Sequence, residues 1–233
     1  FNMDSNNGMI TAFWPRAYKI IGAANAAVAG ADLVVEPADR IDALRAEAVF
    51  LRAWTYYHLV RVFGDIPYID FFINNPEEIK EIAKTSESEV YQSIIADLEY
   101  AKANLPMEHP GNVRSRPSKG TAAAYLASVY LTIGNDQGAY EEAKWVIDNK
   151  ASLGYGLMGD FAELYDGFNG DGLTEHVFMV DFLGQVAAGD NQQTDWMAPV
   201  TGIRSIFLPT VDAGWSVAVP SMDVFDSCDA RDY

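Results

Sequence analysis

The chain has 233 residues, 49% of them hydrophobic, enough to bury a core in one large domain or two small ones and too many for a disordered chain. Its 33 Asp and Glu residues outweigh 16 Lys and Arg, and the resulting net charge of −17, with no basic stripe, argues against nucleic acid or an anionic membrane surface as partner. A single cysteine, Cys228, cannot close an internal disulfide, and no run of about 18 apolar residues marks a transmembrane helix.

The chain opens FNMDSNNGM, with no basic n-region and no initiator Met, and it stops at Asp-Ala-Arg-Asp-Tyr without a closing element. It therefore reads as a piece of something longer. From Phe13 to about Ala31 the residues Phe13, Ala17, Ile20, Ile21, Ala24 and Val28 recur at helical spacing, which predicts a first helix with Pro15 in its first turn. A second helix is predicted from about Ala38 to Phe63, ended by Gly64 in a left-handed conformation and by Pro67 beyond it. Between Phe50 and Phe63 this helix is apolar nearly all round, with Arg52 and Arg61 on opposite sides. Such a helix is packed on several sides, as in the inner layer of a helical array.

Ser86 and Glu89 form the capping box S-x-x-E of a third helix, which carries Val90, Ile94, Ile95, Leu98 and Ala101 as far as Leu105-Pro106. A fourth, from about Pro117 to Ile133, is alanine-rich and ends at Gly134, and a fifth follows with Tyr140, Ala143 and Ile147 on one face. These last two helices resemble one tetratricopeptide unit with a turn roughly four residues longer than that repeat prefers. Beyond Lys150 the character changes: glycines are frequent, helical periodicity is weak, a strand is expected at Glu175 to Leu183, and Gly184 to Pro209 reads as a long irregular segment. The expected organisation is mainly α.

In order along the chain stand W-x-x-x-Y-x-x-I-x-x-x-N (Trp14, Tyr18, Ile21, Asn25) and R-A-E-A-x-F-L-R-A-x-x-Y-Y-x-L-V-R-x-F-G-D-I-P (Arg45 to Pro67). V-Y-x-x-I-I-x-D-L (Val90 to Leu98), S-K-G-T-A-A-A-Y-L-A-x-V-Y-L (Ser118 to Leu131), Glu175-His-Val-Phe and the ending Pro220 to Asp232 follow. This ordered set resembles the SusD/RagB family of outer-membrane, nutrient-capturing lipoproteins of Bacteroidetes. The resemblance implies that residues 1–150 form a tetratricopeptide-like scaffold of helix pairs, an α-α superhelix whose aromatics are core, that residues 151–233 begin an irregular, loop-rich ligand-binding lobe, and that the protein is non-catalytic and binds a glycan. It further implies a lipid anchor on the outward face of the outer membrane in the full-length protein, and a SusC-like TonB-dependent transporter as partner.

The residues themselves offer little for an enzyme. His58, His109 and His176 have no partner at metal-ligand spacing, and Cys228 lacks a nucleophile's surroundings, so no catalytic or metal-ligating residue is assigned. Glu77, Glu78 and Glu81 read as a solvated surface. Asp166 to Gly172 fails the EF-hand template, which leaves a Gly-rich turn or an irregular oxygen-rich calcium site, and no cofactor is expected.

A carbohydrate site needs flat rings for the C–H faces of a sugar and planar amide, carboxylate or guanidinium partners for its hydroxyls. The stretch 189–207 supplies Asn191, Gln192, Asp195, Trp196 and Arg204, and Trp215 follows in a second glycine-flanked loop. Trp14, after the polar run 4–8, either borders the same cleft or belongs to the core, and Asn7 lies in that run; Trp54 and Trp145 are assigned to packing. Peptide uptake of the RagB kind, a tetratricopeptide adaptor for proteins, and a glycoside hydrolase with paired carboxylates near Trp196 are the competing readings.

Overall fold

The computed structural model describes residues 8–31, 33–35, 37–160, 163–164, 173–180 and 226. Five α-helices run in chain order: α1 Gly8–Ala31, α2 Ala38–Phe63, α3 Glu87–Asn104, α4 Lys119–Thr132 and α5 Asp136–Asp148. Each packs on its neighbours in sequence, so the helices stack one after another, and α2 also touches α4. Short 3₁₀ turns at Pro76–Glu81 and Pro110–Asn112 punctuate the connections. The mainly helical, tetratricopeptide-like class expected from the sequence is the observed one.

The apolar circumference of α2 is spent as its pattern requires. Phe50, Ala53, Tyr56, Leu59 and Val60 are buried among Ala17 and Ile21 of α1, Val90, Ile94 and Leu98 of α3, and Ala122, Leu126 and Val129 of α4. Full burial of a Phe, Leu or Ile side chain is worth roughly 1.5–3 kcal/mol, so this set supplies the main drive for the stack. Gly64 ends α2 at φ 66, ψ −124, a region open only to glycine, although not the left-handed helical one expected.

The first helix starts at Gly8 rather than Phe13, which puts Pro15 in its interior. Pro15 lies on the exposed side, so its ring, which has no N–H to give the helix, projects toward solvent and not into the core. The capping box at Ser86 and Glu89 is formed, and a second joins Ser118 to Thr121 at the start of α4. On α5 the stripe Tyr140, Ala143, Ile147 faces solvent, while Glu142 bridges to Lys102 of α3 at 2.6 Å and Lys102 lies 4.7 Å from the Trp145 ring centroid. α5 packs on α4, and this pair links it to α3 as well.

By contacts the chain divides into two compact units, Phe1–Met179 and Val180–Tyr233. The first therefore extends beyond the helices. The buried Arg114 guanidinium donates to the carbonyls of Leu173, Leu153 and Gly154 and lies 4.5 Å from the Tyr155 ring centroid. Met179 N–H returns a bond to the Arg114 carbonyl at 3.0 Å, and Thr121 Oγ1 donates to the Val177 carbonyl at 3.1 Å. The strand expected from Glu175 does not form over 175–180, where the chain is bent or irregular because its backbone bonds go to Arg114 and α4 instead of to a neighbouring strand. Among the described residues the one β-type pairing is the antiparallel bridge of Ile66 with Thr85, which ties off the excursion between α2 and α3. In the second unit only Val180 and Asp226 are described.

Candidate functional site

Trp14, Tyr18, Ile21 and Asn25 recur at intervals of four, three and four along α1, hence on one stripe of the helix. That stripe forms one wall of a pocket of about 510 Å³ whose other wall is the segment after α2, including Pro67, Ile69, Phe71 and Phe72. Trp14 is half-buried: its ring meets Phe63 edge-on at 4.7 Å and Tyr18 at 5.0 Å, and its remaining surface borders the pocket. It is thus both a packing residue and a pocket residue.

The polar groups of this stripe hold the opposite wall in place. Tyr18 OH donates to the Pro67 carbonyl at 2.7 Å, and Asn25 Nδ2 donates to the Ile69 carbonyl at 2.8 Å. Burial raises the Tyr18 phenol well above its ordinary value, so it stays a donor throughout the physiological range. Tyr56 OH receives the Ile69 N–H at 2.7 Å from the α2 side. With these groups committed, the pocket presents chiefly rings and aliphatic side chains, Phe71, Phe72 and Ile79 being exposed. It can stack a flat apolar surface.

Beneath the pocket lies an ion pair that sequence reasoning missed. Arg52 donates twice to Asp97, Nε to Oδ2 at 2.8 Å and Nη2 to Oδ1 at 2.7 Å, and Nη1 donates to Asn25 Oδ1 and to the Asp70 carbonyl, both at 3.0 Å. Burial opposes the charge on Arg52, but hydrogen bonding to Asp97 and its charge outweigh this and raise the guanidinium's pKa. Burial raises the Asp97 carboxyl above the usual range, with Arg52 pulling the other way. The available signal was an arginine inside an otherwise apolar helix; only packing chose Asp97 of α3 as its partner.

Of the residues the sequence nominates for a ligand, only Trp14 is described, and it lines this pocket. Asn7, Asn191, Gln192, Asp195, Trp196, Arg204 and Trp215 lie outside the described residues, as does the candidate calcium stretch 166–172. Tyr18, Asn25, Phe71 and Phe72 were not nominated as pocket residues; the heptad-like stripe on α1 and the Phe-Phe pair after Pro67 were the signals. Trp54 and Trp145 pack as expected, Trp54 donating its indole N–H to Tyr125 OH at 2.9 Å. His109 is buried with Nε2 donating to the Pro117 carbonyl at 2.8 Å, a structural role. Glu77, Glu78 and Glu81 are exposed. Among the described residues no three His, Cys, Asp or Glu side chains gather as a metal would need, and no helix is long and apolar enough to cross a membrane.

Comparison with known proteins agrees with this architecture. Residues 2–131 match the SusD-like family model described as "Starch-binding associating with outer membrane". The chain is 51% identical to SusD-like protein P2 of Formosa agariphila over all 233 residues, which cover 46% of that relative. A solved laminarin-binding SusD-like protein is 31% identical, with TM-score 0.63 over 68% of this chain and 35% of its own. A SusD-like carbohydrate-binding protein of Bacteroides fragilis, at 22% identity, shares the fold at TM-score 0.79 over 96% of this chain and 41% of its own. The chain thus spans less than half the length of these relatives. A family match over residues 2–131 and 51% identity to a SusD-like protein across the whole chain, with the fold shared at TM-score 0.79, place the chain in the SusD-like family.

Proposed function

We propose that the chain is part of a cell-surface protein that binds oligosaccharide without altering it and passes it to a SusC-like, TonB-dependent outer-membrane transporter. The observation that carries this reading is the likeness to the laminarin-binding SusD-like protein, at 31% identity over a shared fold. The stack of α1 to α4 supplies a rigid support, and Trp14 with Phe71 and Phe72 provides ring surface at one edge of it. The amide-, carboxylate- and guanidinium-bearing residues Asn191, Gln192, Asp195 and Arg204, with Trp196 and Trp215, are the groups we assign to sugar hydroxyls and ring faces. In an open, wet site the hydrogen bonds to sugar replace bonds to water, so stacking makes much of the net affinity and binding is weak. A lipid anchor on the full-length protein would hold it outward-facing at the membrane. An adaptor that binds only proteins through a concave helical groove is less favoured, because α2 is already enclosed by α1, α3 and α4.

The test is a binding screen of the full-length protein against laminarin, xylogluco-oligosaccharides, starch oligosaccharides and peptides, with wild type and Trp196→Ala. We expect glycan binding that falls about tenfold in the variant, about 1.4 kcal/mol, with an unchanged circular dichroism spectrum. Binding to peptides alone, or shortening of the glycan during incubation, refutes the reading.

A further inference from the structure

On the side of α2 away from Arg52, a groove of about 380 Å³ runs between α2, α4 and the returning residues 177 and 178. Tyr57, His58, Arg61, Tyr125, Ser128 and Phe178 line it. Its polar groups can be sorted by elementary chemistry. The Arg61 guanidinium lies 4.2 Å from the Tyr57 ring centroid, with Nε donating to the Tyr57 carbonyl at 3.3 Å and Nη2 to His58 Nδ1 at 3.1 Å. Arginine has no acceptor, so His58 Nδ1 must accept, and the neutral ring carries its proton on Nε2. Burial, then the charge of Arg61, lowers the His58 pKa, which agrees with a neutral ring.

Trp54 Nε1 donates to Tyr125 OH at 2.9 Å. An indole N–H only donates, so Tyr125 accepts there and keeps its own proton, which finds no acceptor among the described residues. The positions of these groups are fixed by packing: Tyr125 meets Phe50 edge-on at 5.5 Å and Phe178 at 6.4 Å, and the His58 ring meets Trp54 at 4.7 Å. Among the described residues Arg61 has no carboxylate within ion-pair distance, in a chain whose acids outnumber its bases 33 to 16. An arginine held in place by a ring, a carbonyl and an imidazole still has unspent N–H groups and an uncompensated charge. The groove is therefore rich in donors beside aromatic edges.

We propose that this groove binds an acidic sugar, its carboxylate paired with the Arg61 guanidinium and its ring and hydroxyl oxygens accepting from Tyr125 OH and His58 Nε2–H. The volume lies at the small end of ligand pockets, about 300–1,000 Å³, which suits a sugar unit better than a protein surface. A lone Asp or Glu of a protein partner would use the guanidinium and leave the other donors and the ring edges idle. That the ligand is a sugar rests on the glycan-capture reading; that the sugar is acidic rests on the groove.

The test is titration calorimetry on the full-length protein with oligomers of galacturonate, mannuronate and glucuronate-substituted xylose, their methyl esters, a neutral laminarin oligosaccharide and hexaglutamate. We expect at least one acidic oligomer to bind and its methyl ester to bind about tenfold more weakly. Arg61→Gln should cost the acidic oligomer about tenfold and the neutral one nothing, with Arg61→Lys in between. Arg61 is exposed and both variants should keep the wild-type dichroism spectrum. Equal binding of acid and ester, indifference of acid binding to Arg61→Gln, absence of binding by every acidic oligomer at millimolar concentration, or Arg61-dependent binding of hexaglutamate alone each overturns the proposal. Neutral glycan binding that persists in such a result leaves the capture reading standing, whereas loss of all glycan binding removes both.

Discussion

Replacing Arg52 by Met probes the centre of the scaffold. The side chains of Arg52 and Asp97 are 9% and 13% exposed, and the pair is bidentate at 2.7 and 2.8 Å. Methionine fills similar space but leaves Asp97 buried without its counter-ion, and Asn25 Oδ1 and the Asp70 carbonyl each without a donor. Breaking a buried pair from one side costs about 3–5 kcal/mol, because the stranded charge keeps its desolvation penalty. At roughly 2–4 °C per kcal/mol for a domain of this size, the melting temperature should fall by about 10 °C. The loss should depend on pH in a set direction. Burial already raises the Asp97 carboxyl, and removing Arg52 raises it further above its unfolded value of about 3.9. A carboxyl that holds its proton more tightly when folded contributes stability in full below that unfolded value and loses it as pH climbs through the native one. The deficit should therefore be smaller at pH 5 than at pH 8. Arg52→Met combined with Asp97→Leu, which removes the stranded charge, should recover most of the loss. Urea denaturation followed by circular dichroism at both pH values measures all three. A cost below about 1 kcal/mol, a deficit that widens at pH 5, or a double variant no better than the single one refutes the reasoning.

Two further outcomes follow from backbone details. Ser86→Ala removes the hydroxyl that accepts the Glu89 N–H at 3.4 Å and should cost about 1 kcal/mol in urea denaturation; NMR titration should also show the Glu89 carboxyl, held below its usual range chiefly by the Ser86 hydroxyl, moving back up. Gly120→Ala would set a Cβ 2.6 Å from Tyr155 Cε2, and Tyr155 is pinned by Ser118 Oγ at 2.9 Å and by Arg114. It should cost about 1–3 kcal/mol, whereas Gly22→Ala, with open space around it in α1, should gain roughly 0.5–1 kcal/mol; thermal melts in which both behave alike contradict the packing described.

What the sequence settled by itself was local. The capping box at Ser86, the stop at Gly64, the alanine-rich α4 and the all-round apolar pattern of α2 each depend on residues a few positions apart, so period and cap chemistry sufficed to place the helices and their stacking class. The ordered motifs from Trp14 to Leu131 carried the family for the same reason. Partnerships across elements were decided only in three dimensions. Arg52 found Asp97 on α3, Arg114 bonded residues 153, 154 and 173 where a strand was expected near Glu175, and Lys102 of α3 met Glu142 of α5 while the Tyr140–Ile147 stripe faces solvent. A charged group's choice among distant partners turns on burial and on geometry within a few tenths of an ångström, and neither quantity is encoded in spacing along the chain.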